Sequence, residues 1–135
     1  MRHSIHFPML LALALACGTL AGCGSISSGI AKDGLHAQTM RWPDPTSTPY
    51  MHKGGTYPNP AELRLIHAGL SKAQVMALIG PPHFDEGFAG VYEWDYLFNL
   101  HGPDSGQLVQ CQYKILFDDH KVARSFYWRD PACAR

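Results

Sequence analysis

The spacing of apolar residues changes along this chain, and each change marks an element. From about Met9 to Ala16 the residues are apolar without a break. Residues 24–57 show little regular pattern. Asn59-Pro60 then suits a helix start, because Asn caps well and Pro fits the first helical position. Leu63 and Ile66 follow one turn apart, and Gly69 ends that short unit. Ser71 and Gln74 have capping-box spacing, with Leu70 and Val75 at the hydrophobic-staple positions around them. Val75, Leu78 and Ile79 share one face. Gly80 and Pro81-Pro82 stop a helix of about two turns.

After a loop from His83 to Gly90 the period becomes two. Tyr92, Trp94, Tyr96 and Phe98 fall on one side and Glu93 and Asp95 on the other, which predicts a strand with one buried aromatic face. His101 to Gly106 is a turn cluster. Leu108 to Phe117 alternates again, setting Val109, Cys111, Tyr113, Ile115 and Phe117 against Gln110, Gln112 and Lys114. Asp118 to Lys121 is a short hairpin loop. Val122 to Trp128 is a third strand of ambiguous facing, because Arg124 shares a side with Val122, Phe126 and Trp128. The order predicts an α+β fold over residues 58–135, with two short helices packed on a three-stranded antiparallel sheet (ααβββ).

The early apolar run is too short to span a bilayer, which takes about 20 residues. With Arg2 ahead of it, it fits the core of a secretory signal. It leads to Leu20-Ala21-Gly22-Cys23, the pattern of a lipobox. Residues 1–22 are therefore expected to be a lipoprotein signal peptide, with Cys23 acylated and Cys17 lost with the signal. Gly24 offers no inner-membrane retention signal, so the expected location is the outer membrane, lipid-anchored on its periplasmic face. Residues 23–57, rich in Ser, Gly and Pro, are expected to form a flexible linker that raises the domain off the membrane. Trp42 and Tyr50 interrupt it, either docking on the domain or sitting at the lipid interface.

Eleven Lys and Arg against eleven Asp and Glu give a formal charge of zero over 135 residues. No basic face is implied, and nucleic acid is not an expected partner. Once Cys17 is removed and Cys23 acylated, Cys111 and Cys133 remain. In an oxidising periplasm such a pair closes as a disulfide, a staple of on the order of 3 kcal/mol for a small core.

The ordered set of residues from 62 to 130 resembles the SmpA/OmlA, or BamE-like, lipoprotein family. The resemblance rests on Leu63 and Ile66, Gly69-Leu70-Ser71-Lys72-Ala73-Gln74-Val75, Leu78-Ile79-Gly80-Pro81-Pro82, Trp94-Asp95-Tyr96, and Tyr113-Lys114-Ile115-Leu116-Phe117-Asp118 leading to Val122. Phe84, Glu86-Gly87-Phe88 and Tyr127-Trp128 with Asp130-Pro131-Ala132-Cys133 look like a subgroup whose domain often precedes an OmpA-like peptidoglycan-binding domain, expected to be absent here. The resemblance implies a non-catalytic accessory role in outer-membrane β-barrel assembly that supports envelope integrity, with BamA and BamD as partners. The family's segment before the first helix carries a Gln-Gly-Asn-Tyr stretch tied to partner and lipid contact. Here that region reads Gly54-Gly55-Thr56-Tyr57-Pro58-Asn59, and Tyr57 is the residue that matches.

Tyr57, Phe84 and Phe88 are thus the candidate partner-binding residues. If exposed, Phe84 and Phe88 are apolar anchors; if folded back, they cap the core between helix and first strand. His83, Asp85 and Glu86, with His101 or His120, match no zinc spacing, so no metal or other cofactor is expected. Ser71 reads as a helix cap and Gly80-Pro81-Pro82 as a helix stop, so no catalytic residue is proposed. The aromatic set Tyr92, Trp94, Tyr96 and Phe98 reads as core rather than a ligand cleft. Two other classes remain beside the assembly role: a stand-alone periplasmic protein-binding or inhibitor-like module, and a small-ligand or lipid carrier.

Overall fold

The computed structural model describes residues 25–84, 86, 90–102 and 106–134. Helix α1 (Pro60–Leu63) is a single turn started by Asn59, whose side chain accepts from the Ala61 amide at 2.9 Å. Helix α2 (Lys72–Ile79) opens on the complete capping box: Ser71 Oγ accepts from the Gln74 amide at 3.2 Å, and Gln74 Oε1 accepts from the Ser71 amide at 2.9 Å. It ends at Gly80, where φ of 80° suits a residue without Cβ. Eight residues do not make a helix that stands alone in water, and α2 is held by Val75 and Ile79, buried against the sheet.

The sheet is the antiparallel meander β3 (Glu93–His101), β4 (Leu108–Phe117) and β5 (Ala123–Trp128). Its register sets Trp94 beside Ile115, Tyr96 beside Tyr113, and Ile115 beside Phe126. Leu70, Val75, Ile79, Trp94, Tyr96, Phe98, Tyr113, Ile115, Phe117 and Ala123 form one buried cluster. This is the expected two-helix, three-strand fold built on an aromatic face. Tyr92, expected on that face, lies just before β3 and is 40% exposed.

A bulge resolves the facing of β5. Phe117 pairs with Ala123 and Leu116 with Ser125, which leaves Arg124 as the extra residue. Ala123 and Phe126 thereby reach the same helix-facing side although three positions apart, and Arg124 stays exposed.

The opposite face of the sheet departs from expectation. Glu93, Asp95, Leu97, Gln112, Lys114 and Leu116 are all buried. The cover comes from residues expected to be a flexible linker. Strands β1 (Ser28–Ile30) and β2 (Ala37–Thr39) pair as an antiparallel hairpin, and short 3-10 turns follow at Pro45–Ser47 and Tyr50–His52. The Ser27 amide donates to Glu93 Oε1 at 2.8 Å, the Asp119 amide to Lys32 O at 2.9 Å, Ser125 Oγ to Gly34 O at 2.6 Å, and Gln112 Nε2 to Pro43 O at 2.7 Å. Gly34 fits because it lacks a side chain: a Cβ there would lie 2.7 Å from the Phe117 carbonyl carbon. The Ser, Gly and Pro residues shape turns whose backbone groups bond to the sheet. The fold has three layers: helices, sheet and hairpin.

Candidate functional site

Residues 54–57 are set by the free edge of β3. The Thr56 amide donates to Leu97 O at 2.9 Å and Thr56 O accepts from the Asn99 amide at 2.8 Å, forming a parallel bridge. Gly55 allows this approach, with φ of 84° and a would-be Cβ 2.7 Å from Leu97 O. Asn99 Nδ2 holds Gly54 O at 2.9 Å. The next residue, Tyr57, is thereby fixed in position yet 68% exposed. It stands on the rim of a groove of about 700 Å³ between α1 and the far end of the sheet, walled chiefly by Pro58, Leu63, Ile66, Leu100 and Trp128. Arg64 and His101 add polar groups to its lining. Cys133 also lines it and is paired with Cys111 of β4, their Cα atoms 6.0 Å apart.

The other candidate partner residues fare differently. Phe84 is only 8% exposed and is no surface anchor; an apolar ring beside the edge of β3 gains more from burial than from water. Phe88 and Asp85 lie outside the described residues, as does Cys23. Trp42 docks on the domain, its ring 5.4 Å from Lys114 Nζ, whereas Tyr50 is almost wholly exposed.

The polar residues of the loop after α2 serve the β3 edge. His83 Nδ1 accepts from the Leu97 amide at 2.9 Å, Glu86 Oε2 accepts from the Asp95 amide at 2.8 Å, and the His83 amide donates to Asp95 O at 2.9 Å. Together with Thr56, two side chains stand in for a fourth strand and close an edge open to pairing with another chain. Burial, with His52 stacked at 4.6 Å, pushes the His83 imidazole down to about 4, so at neutral pH it is an uncharged acceptor. His101 bonds to Gly106 O and His120 is exposed. Among the described residues no three His, Cys, Asp or Glu gather to hold a metal ion.

Behind the sheet, Lys114 Nζ lies 2.7 Å from both Glu93 Oε2 and Asp95 Oδ2, all three fully buried. Burial raises the Glu86 carboxyl strongly, and the adjoining Asp95 raises it further, so Glu86 keeps its proton. That proton supplies a donor between Glu86 and Asp95, each of which has one carboxyl oxygen with no other partner among the described residues. The sequence offered no sign of this cluster beyond alternation, which reads the same for a solvated face and for paired buried charges.

Residues 55–127, more than half of the chain, match the family model of the outer membrane protein assembly factor BamE domain. The protein belongs to the BamE family. This membership ties it to outer-membrane protein assembly and is consistent with a non-catalytic accessory factor associated with that machinery. The matched segment begins at Gly55, one residue before the β3 bridge, and ends within β5. It therefore contains Tyr57, both helices, β3, β4 and all of β5 except Trp128. The hairpin behind the sheet and Cys133 lie outside it. The family segment thus supplies most of the groove, with Trp128 and Cys133 added from beyond it, and the back cover comes from residues that precede it.

Proposed function

We propose that this BamE protein is an outer-membrane lipoprotein, acylated at Cys23 and facing the periplasm, that serves as a non-catalytic subunit of the β-barrel assembly machinery and supports envelope integrity. The observation that carries this reading is the family match over residues 55–127. The lipobox Leu20-Ala21-Gly22-Cys23 and the exposed Tyr57 beside an apolar groove support it. Tyr57 and the groove take an apolar element of an assembly protein of the BamA or BamD type. An exposed aromatic beside a preformed apolar concavity is the usual make-up of an interface anchor. Confining both proteins to one membrane surface raises their effective concentration, so a modest intrinsic affinity suffices. The Cys111–Cys133 pair is closed in the periplasm and fixes the residues after β5 beside the groove.

Affinity purification tests the reading. Full-length protein with a C-terminal tag is extracted from outer membranes in mild detergent, with Cys23→Ser as control, and recovered proteins are identified by mass spectrometry. Stoichiometric BamA and BamD with the lipidated form is the expected result. Their clean absence from a folded, lipidated sample contradicts an assembly role and leaves a stand-alone binding module as the alternative.

A further inference from the structure

The N-terminal segment determines how this domain meets the membrane. A free chain over residues 23–57 would leave the domain on the order of 30 Å from its lipid. The described chain is docked from Ser25 onward. Ser25 Oγ accepts from the Tyr92 amide at 3.2 Å, and two residues later the Ser27 amide donates to the buried carboxylate of Glu93. Only Gly24 separates Ser25 from Cys23. Two residue steps span at most about 7 Å, less than a phospholipid headgroup layer and its hydration.

The residues around that docking point are suited to a lipid surface. Ile26 and Tyr92 are large, apolar-bodied and 38% and 40% exposed. The Arg41 amide donates to Ser27 Oγ at 3.1 Å, which places an exposed cationic residue beside them. An aliphatic side chain, a tyrosine and a guanidinium suit an interface where apolar bodies meet acyl chains and polar tips meet anionic headgroups. The opposite end of the sheet is different. Leu100 and His101, which line the groove, stand at the other end of β3, roughly 26 Å away at the rise of an extended strand.

We infer that the surface formed by Ser25, Ile26, Arg41 and Tyr92 lies directly on the phospholipid leaflet, so that the lipid holds the domain in a fixed pose with the Tyr57 groove at the end remote from the bilayer. This inference rests on acylation at Cys23. The hairpin behind the sheet is then the mount of the domain, and the groove is presented to periplasmic parts of a partner.

The test uses the full-length lipidated protein in vesicles of phosphatidylethanolamine and phosphatidylglycerol. Intact mass first establishes the acyl groups on Cys23. Nitroxide labels are then attached singly through Ile26→Cys, Tyr92→Cys and, at the far end of the sheet, Leu108→Cys, with circular dichroism showing that each variant is folded. Accessibility to oxygen and to a water-soluble nickel chelate is compared. Labels at positions 26 and 92 are expected to favour oxygen several-fold over the label at 108, which remains open to nickel. Equal nickel accessibility at all three positions in an acylated protein overturns the inference while leaving the lipoprotein reading intact. A chain without acyl groups overturns that reading and the inference together.

Discussion

Lys114 holds together the least forgiving part of this molecule. Its ammonium faces two carboxylates at 2.7 Å, with water excluded from all three. Removing one partner from such a group leaves charge buried without compensation, which costs about 3–5 kcal/mol. Lys114→Met is therefore expected to lower unfolding stability by that amount in urea titration. Glu86 and His83 respond to pH in opposite directions. The carboxyl of Glu86 is raised on folding, so its contribution is favourable below the ordinary carboxylate range and is lost as pH rises above it. Glu86→Gln keeps an acceptor for the Asp95 amide and cannot ionise. It is expected to match the parent near pH 4 and to exceed its stability at pH 7. The imidazole of His83 is depressed to about 4 from 6.5. Its contribution is complete above 6.5 and is lost as pH falls toward 4, on the order of 3 kcal/mol. Protonation also ends the ring's acceptance from the Leu97 amide, offset in part because the new N–H faces Leu97 O at 3.1 Å. His83→Asn retains an acceptor without titrating, and a flatter acid limb in its pH-dependent melting is the expected outcome.

At the scale of elements, local chemistry is strongest where sequence signals were strongest. The capping box of α2 and the Asn59-Pro60 start of α1 stand where the sequence placed them, because each depends on residues within one turn of itself. Ser71→Ala removes one half of the box and is expected to cost about 1 kcal/mol, read from thermal unfolding. The ends of β4 also follow the alternation, Leu108 to Phe117. The hairpin from residue 25 to 41 was not legible, since its strands are three residues each and its bonds run to residues 66 to 92 positions away. Period two in β3 identified the aromatic face correctly but could not say that Glu93 and Asp95 would be covered. Nor could it show the β5 bulge, which depends on the partner strand. Gly34→Ala tests the hairpin's seat. The new methyl meets the Phe117 backbone at 2.7 Å in a left-handed conformation of φ 69°, so residues 25–41 should exchange amide hydrogens faster while β3, β4 and β5 stay protected.

For the whole molecule, the three layers divide the work between two ends of one sheet. The hairpin seals the back and brings the chain just after Cys23 onto the start of β3, while the β3 bridge, α1 and the Cys133 segment build the Tyr57 groove at the other end. The groove was legible only through Tyr57, because Leu63, Ile66, Leu100 and Trp128 are scattered in sequence and meet through the meander. The family segment supplies most of that groove, Tyr57 included, and the partner contact proposed above lies there. In-cell photocrosslinking tests that claim most directly. A benzophenone side chain is placed at position 57 of the full-length protein and, as a control, at the exposed position 124 on the β5 bulge. Adducts with BamA or BamD from position 57 alone are the result this account predicts. Adducts with neither protein from position 57, in cells where the lipoprotein is folded and in the outer membrane, would contradict it.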